Sequence, residues 1–232
     1  FGSGHLPMQA HGPELVLHRC TTSLHIPSFA LMRLSPGQPD SRAARKADTA
    51  WPACTILRRM VHLVLIRHGE SDANAAGLLA GRTPGVALTE AGRAQIRSLA
   101  GILPFATITA LRHSPLMRCV QTTEELLGII TVGQTREDPG LAEVDYGQWS
   151  GQPLTSLKEH PEWARVAESP STMVFPGGES LQAAASRGIA AAEALVAELR
   201  QRTVASGEDE KTQEDSVGII VSHGDIIKAI LA

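Results

Sequence analysis

Residues 61–68 read Val-His-Leu-Val-Leu-Ile-Arg-His. The first six form a nearly continuous apolar run of strand length, rich in branched side chains, as expected for a parallel strand covered on both faces. Residues 217–221 repeat the pattern late in the chain and end at Ser222 and His223. Between them the periodicity switches to that of helices. Thr89 can cap a helix in which Ile96, Leu99, Ala100 and Leu103 form one buried stripe. A second strand fits residues 106–111. Ser114 followed by Pro115 reads as an N-cap and first-turn proline, opening a helix through Leu127 with the stripe Leu116, Val120 and Leu127 and with Arg118 in its first turn. A weaker strand follows near 129–132, then a glycine-punctuated loop at 141–151 and a short helix at 153–167. Ser180 caps the longest helix, whose buried side is expected to carry Leu181, Ala185, Ile189, Ala192, Leu195, Val196 and Leu199. Residues 208–215 read as a solvated connector, and a last helix begins near Ile226.

Strands alternating with helices imply an α/β fold of three layers, α/β/α, around a mainly parallel, doubly wound sheet, with the ligand crevice outside the carboxyl ends of the strands. His68 and His223 are remote in sequence, yet both follow the carboxyl end of a buried strand and can meet in that crevice. Arg67 and Arg118 would join them, with Glu70, Glu143 and Asp225 as nearby carboxylates. Two guanidinium groups suit the planar, multidentate grip on a dianionic oxyanion, so the implied ligand is a phosphoryl group. The helix N-terminus beside Arg118 adds backbone donors. A neutral imidazole can attack phosphorus near neutral pH and yields a labile phosphoramidate.

Composition narrows the partners. The 232 residues carry a net charge of -3, the wrong sign for a nucleic-acid footprint. No apolar run reaches the ~18 residues that suggest a membrane span. Residues 1–59 hold seven basic and three acidic residues and six of the 14 prolines. Those prolines interrupt each apolar run before a helical face is complete, and the stretch is expected to be a disordered leader or non-native extension. Met60 then reads as the natural start; an organelle transit peptide is the rival. Cys20, Cys54 and Cys119 are odd in number, which argues for a reducing, cytoplasmic compartment. His11, His18 and His25 lack companion ligands at metal-binding spacing.

The site residues lie within wider blocks. Arg67, His68, Gly69, Glu70, Ser71 and Asn74 match R-H-G-E-S-x-x-N. Leu88, Thr89, Glu90, Gly92 and Gln95 resemble L-T-x-x-G-x-x-Q, and Ser114, Pro115, Leu116, Arg118, Gln121 and Thr122 resemble S-P-L-x-R-x-x-Q-T. Glu143, Tyr146, Gly147, Trp149 and Gly151 form a fourth block, and His223 with Gly224 a fifth. In this order the blocks resemble the histidine phosphatase superfamily, which includes the phosphoglycerate mutases, over residues 61–231. The resemblance implies a phosphoglycerate mutase-like fold and a phosphomonoester hydrolase acting through a phosphohistidine. His68 would be the nucleophile. Arg67, Arg118 and His223 would hold the phosphoryl oxygens, Asn74 would support the pocket, and Glu143 would be the general acid and then the base. No cofactor or metal is implied, and the partner is a small phosphorylated metabolite. Arg82, Thr83 and residues 163–175 are expected to shape the leaving-group side.

Other readings stay open at this point. A phosphoglycerate mutase-like phosphomutase would retain the phosphoryl group and exclude water, but the segment after Glu143 is compact, which favours hydrolysis. A noncatalytic phosphate-ester binder would keep the pocket without turnover. The H-x-E at His68 and the H-x-D at His223 suggest a zinc hydrolase, although the P-C-x-x-C of zinc deaminases is missing. His113 stands where the family has a small residue. The chain stops at Ala232 where relatives continue through another helix, so the domain from 60 to 232 is expected to be truncated or unusually short. Oligomeric state is not legible.

Overall fold

In the computed structural model, residues 29–34, 60–105, 107–205 and 215–232 are described. Their sheet begins with β1 (Phe29–Leu34), which pairs antiparallel with β2 (Val61–Arg67). Further along are β3 (Thr107–Ile108), β4 (Ala110–His113), β5 (Thr131–Val132), β6 (Thr135–Glu137) and β7 (Ser216–Ser222). The main sheet has the order β1-β2-β7-β4-β6, and β3 with β5 makes a separate two-stranded ladder. Apart from β1, every pairing is parallel.

Alternation along β2 creates the layers. Val61, Leu63 and Leu65 pack with Leu195 and Leu199 on one face, whereas Val64 and Ile66 pack with Ile96, Leu99 and Leu126 on the other. A period of two thus sends successive side chains to opposite helical layers. The helices are α1 (Asp72–Ala75), α2 (Glu90–Arg97), α3 (Met117–Leu127), α4 (Leu154–Lys158), α5 (Trp163–Glu168), α6 (Leu181–Ala205) and α7 (Gly224–Leu231). A third cluster, including Val144, Trp149, Met173 and Phe175, is buried with Ala184 and Ile226 of α6 and α7.

Several expectations change. The leader reading of 1–59 allows for no element, yet residues 29–34 form the antiparallel edge. Pro27 and Pro36 flank this run, so prolines that forbid a helix here bound a strand. The other residues before Met60, and residues 206–214, lie outside the described set. The strand expected at 106–111 splits at Thr109, whose N–H donates to the Val217 carbonyl at 2.8 Å. Thr89 caps α2, accepting from Gly92 N–H at 3.0 Å, but the helix tightens into a 3-10 turn at Ser98–Gly101. That change of twist leaves Ala100 exposed. Helix α3 begins at Met117, with Leu116 rather than Ser114 at the N-cap. Its buried face is Arg118, Cys119, Thr122, Thr123 and Leu126, while Leu127 is 45% exposed. Residues 153–167 hold two helices instead of one, interrupted near Pro161. In α6, Ile189 is exposed and Gly188 is buried, because a Cβ on Gly188 would stand 2.8 Å from Ile226 Cγ2 of α7.

Two further glycines control the loop after His68. A Cβ on Gly69 would meet the Gly92 carbonyl oxygen at 2.5 Å, and one on Gly92 would meet the Glu70 carbonyl oxygen at 2.1 Å. The loop therefore rests backbone to backbone on the first turn of α2. Among the described residues, no helix is long and apolar enough to cross a membrane.

Candidate active site

Register carries the first part of the site. Arg67 of β2 lies opposite Ser222 of β7, and His68 N–H extends the ladder to the Ser222 carbonyl at 3.0 Å. His68 and His223 therefore leave adjacent parallel strands together, with ring centroids 5.2 Å apart. His68 Nδ1 is 2.7 Å from the Gly69 carbonyl oxygen, which only accepts, so Nδ1 carries the proton and Nε2 the lone pair. Burial, then the charges of Arg118 and Arg67, lower the His68 pKa to about 3, so the ring is neutral near pH 7. His223 is pushed well down by the same causes, burial first.

Arg118 joins the two rings. Its Nε donates to His68 Nε2 at 3.3 Å, while Nη2 donates to the Gly81 carbonyl at 2.8 Å and to His223 Nδ1 at 3.1 Å. With Nδ1 accepting, His223 Nε2 carries the proton and donates to Ser114 Oγ at 2.8 Å. This contact accounts for the missing cap, because the Ser114 hydroxyl faces a histidine as well as the Leu116 N–H. Arg118 is 1% exposed, and its Nη1 is buried without an acceptor. A buried guanidinium donor left in this state is costly unless an anion completes it.

Glu143 arrives from a loop. Its Oε1 accepts from Val144 N–H at 3.0 Å, and Oε2 lies 4.0 Å from His223 Nδ1. Burial, reinforced by the charge of Asp225, raises its pKa to about 7, which poises it to give or take a proton. His68, Arg118 and Glu143 line a cavity of about 220 Å³ together with Arg67 and Asn74, with His223 fully buried behind them. Asn74 Oδ1 accepts from Ser71 N–H at 3.2 Å, and the Asn74 N–H donates to Ser71 Oγ, which places the asparagine at the cavity through a capping box. Leu78, Leu79 and Leu154 make an apolar wall, and Tyr146, Asp225 and Lys228 a polar one.

The structure brings Arg67, His68, Asn74, Arg118, Glu143 and His223 together. Arg82 is different. It is absent from the cavity lining; its Nε donates to the Glu143 carbonyl at 2.8 Å and its Nη2 to Glu179 at 2.8 Å. The guanidinium thus joins the protein at a carbonyl it shares with Arg187 and at a carboxylate, outside the cavity lining. His113 is likewise absent from the lining, with Nδ1 3.0 Å from the Ser114 carbonyl. Tyr146 packs in the third core cluster against Phe175, and its hydroxyl donates to Asp225 Oδ2 at 2.6 Å while Lys228 donates to Oδ1 at 2.9 Å. The i, i+3 pair of Asp225 and Lys228 on α7 is the signal the sequence offers. Cys119, with Sγ 3.4 Å from His223 Nε2, is raised to about 12 by burial and stays a thiol. The zinc reading needs convergent donors, and among the described residues no three His, Cys, Asp or Glu side chains are grouped to hold a metal ion.

Comparison with known proteins agrees with this geometry. Residues 63–232 match the model of the histidine phosphatase superfamily, branch 1. Phosphoserine phosphatase 1 of Hydrogenobacter thermophilus is 36% identical over 124 residues, 53% of this chain and 58% of that protein. Glucosyl-3-phosphoglycerate phosphatase of Mycobacterium tuberculosis is 32% identical over 180 residues, 75% of each. The chain thus spans less than two thirds of the first relative. Among solved structures, a mycobacterial glucosyl-3-phosphoglycerate phosphatase in complex with VO3 aligns with a TM-score of 0.57 at 29% identity, covering 72% of this chain and 77% of that one. With the family model spanning well over half of the chain and every pocket residue, this chain belongs to the histidine phosphatase superfamily, branch 1.

Proposed function

We propose that the protein hydrolyses a small phosphorylated metabolite in the cytoplasm through a phosphohistidine on His68, within a catalytic domain spanning residues 60–232. The observation that carries this reading is the Arg118 fork, which holds a neutral His68 Nε2 beside His223 while keeping a buried donor for an anion. A phosphoryl group takes that donor and the Arg67 guanidinium on its oxygens. Catalysis of phosphoryl transfer then rests on positioning and charge compensation.

In the first half, His68 Nε2 forms a bond to phosphorus as the ester P–O bond breaks, and Glu143 gives its proton to the departing alkoxide. In the second, the Glu143 carboxylate takes a proton from water as the water oxygen attacks phosphorus; the N–P bond breaks and inorganic phosphate is released. Lys228 borders the cavity with 79% of its side chain exposed, which supports access for that water and favours hydrolysis over phosphoryl retention. The apolar wall suits a carbon skeleton in the alcohol.

The test is a panel of phosphomonoesters with acid-quench detection of phosphohistidine. Wild type should turn over at least one ester and label, and His68→Ala should do neither. Labelling that survives in His68→Ala would move the nucleophile elsewhere.

A further inference from the structure

We infer that Arg187, Glu179 and Arg82 form a positioning clamp on the backbone of residues 140–145, and that it is this clamp which holds the Glu143 carboxyl at the leaving oxygen. The inference rests on the acid role of Glu143 proposed above.

The Glu143 carbonyl oxygen accepts from two guanidinium groups at once, Arg82 Nε at 2.8 Å and Arg187 Nη2 at 2.9 Å. Glu179 Oε1 ties the two together, accepting from Arg82 Nη2 at 2.8 Å and from Arg187 Nη2 at 2.7 Å. The same Oε1 accepts from the Asp145 N–H at 2.9 Å, so it also grips the chain two residues past the acid. Arg187 Nη1 continues upstream to the carbonyls of Gly140 and Ala142, at 2.8 and 2.5 Å. Four backbone groups in six residues are thereby fixed by three side chains, two of them charged donors to neutral acceptors.

Why this bears on chemistry follows from what the segment lacks. Residues 142–146 belong to no helix or strand, so no ladder of backbone hydrogen bonds defines where Glu143 sits. Its own carboxyl touches the protein at Val144 N–H, a local contact that moves with the loop. A group that must reach a leaving oxygen within hydrogen-bond distance needs its backbone held to well under 1 Å. The clamp supplies that constraint from outside the cavity. Arg187 is seated on the long α6 and Arg82 comes from the loop whose Gly81 carbonyl accepts from Arg118, so the clamp also references the acid to the phosphate-binding arginine.

The experiment compares kcat/KM on two esters, an alkyl phosphate whose alkoxide needs a proton to leave and p-nitrophenyl phosphate whose phenolate does not. Because kcat/KM covers the steps up to alcohol release, the ratio of the two reports the acid alone. Arg187→Met, Arg187→Lys, Glu179→Gln and the half-exposed Arg82→Met are each measured, with thermal unfolding and His68 labelling followed in parallel. The clamp predicts a loss on the alkyl ester about tenfold greater than on the aryl ester, within the ~10²–10⁴-fold that general acid catalysis supplies. His68 labelling by the aryl ester should persist, and lysine at 187 should recover part of the difference. Equal losses on both esters in the folded Arg82→Met and Glu179→Gln proteins would overturn the clamp and leave a stability role. Glu143→Gln separates the two ideas: if it discriminates between the esters while no clamp variant does, the clamp alone fails, and if it does not discriminate, the acid role itself fails.

Discussion

The two halves of the pocket are built by different means. His68, His223 and Arg118 stand where a parallel ladder and the first turn of a helix put them, and regular secondary structure sets the backbone path behind each. Glu143 stands in a loop, and its placement depends on side chains reaching from distant segments to its carbonyl. One half inherits its precision from the sheet; the other acquires it from charged hydrogen bonds that substitution can remove singly. The nucleophilic half should therefore fail all at once, and the acid half by degrees.

Replacing Arg118 by lysine attacks the first half hardest. A point charge cannot bridge both imidazoles, so turnover of every ester should fall by on the order of 10²–10³-fold, irrespective of leaving group. Steady-state kinetics on a set of esters checks this, and a loss confined to alkyl esters would contradict the division. Glu143→Gln strikes the other half, with kcat/KM falling on the order of 10²-fold for alkyl phosphates and far less for aryl ones.

A gentler probe is Asp225→Asn. Burial and then the Asp225 charge raise Glu143 to about 7, so kcat/KM for alkyl esters should decline as pH rises through that value. Removing the charge lowers the Glu143 pKa, and the descending limb should move to lower pH in a pH–rate profile. A limb that stays in place would detach Asp225 from the acid.

The smallest effect separates the halves by sign. His68 has a folded pKa lowered from 6.5 to about 3, so the unfolded chain binds its proton first and stability is lost as pH falls below 6.5. Glu143 is raised from 4.5 to about 7, so its contribution is present below 4.5 and lost as pH rises through about 7. Denaturant unfolding of His68→Asn across pH 4–6.5 should show a shallower acid loss, by roughly 1 kcal/mol per pH unit. An unchanged slope would place the acid sensitivity elsewhere.

This division also explains what could be read in the chain. The sheet, its three layers and the meeting of His68 with His223 were legible because buried parallel strands are written as contiguous apolar runs, and the residues ending them share a rim. Helix α3 was misread in detail, since its buried face is polar: Arg118, Thr122 and Thr123 point inward for the site, and a hydropathy stripe selects the wrong side. Glu143 could be chosen among several carboxylates only by resemblance, for no local period marks a loop. An arginine near a pocket suggests an anion, whereas the partners Arg82 has in the structure, the Glu143 carbonyl and Glu179, are announced by no sequence pattern. Arg187, in the second turn of a long helix, carries no signal at all.

The glycine contact beneath the nucleophile has a practical corollary for anyone recombining this chain with its relatives. With Gly69 and Gly92 apposed through bare backbone, the junction offers no adjustable side chain to absorb a mismatch between parents. Crossovers placed between these two positions must keep both glycines, whereas those beyond α2 are free of that restriction.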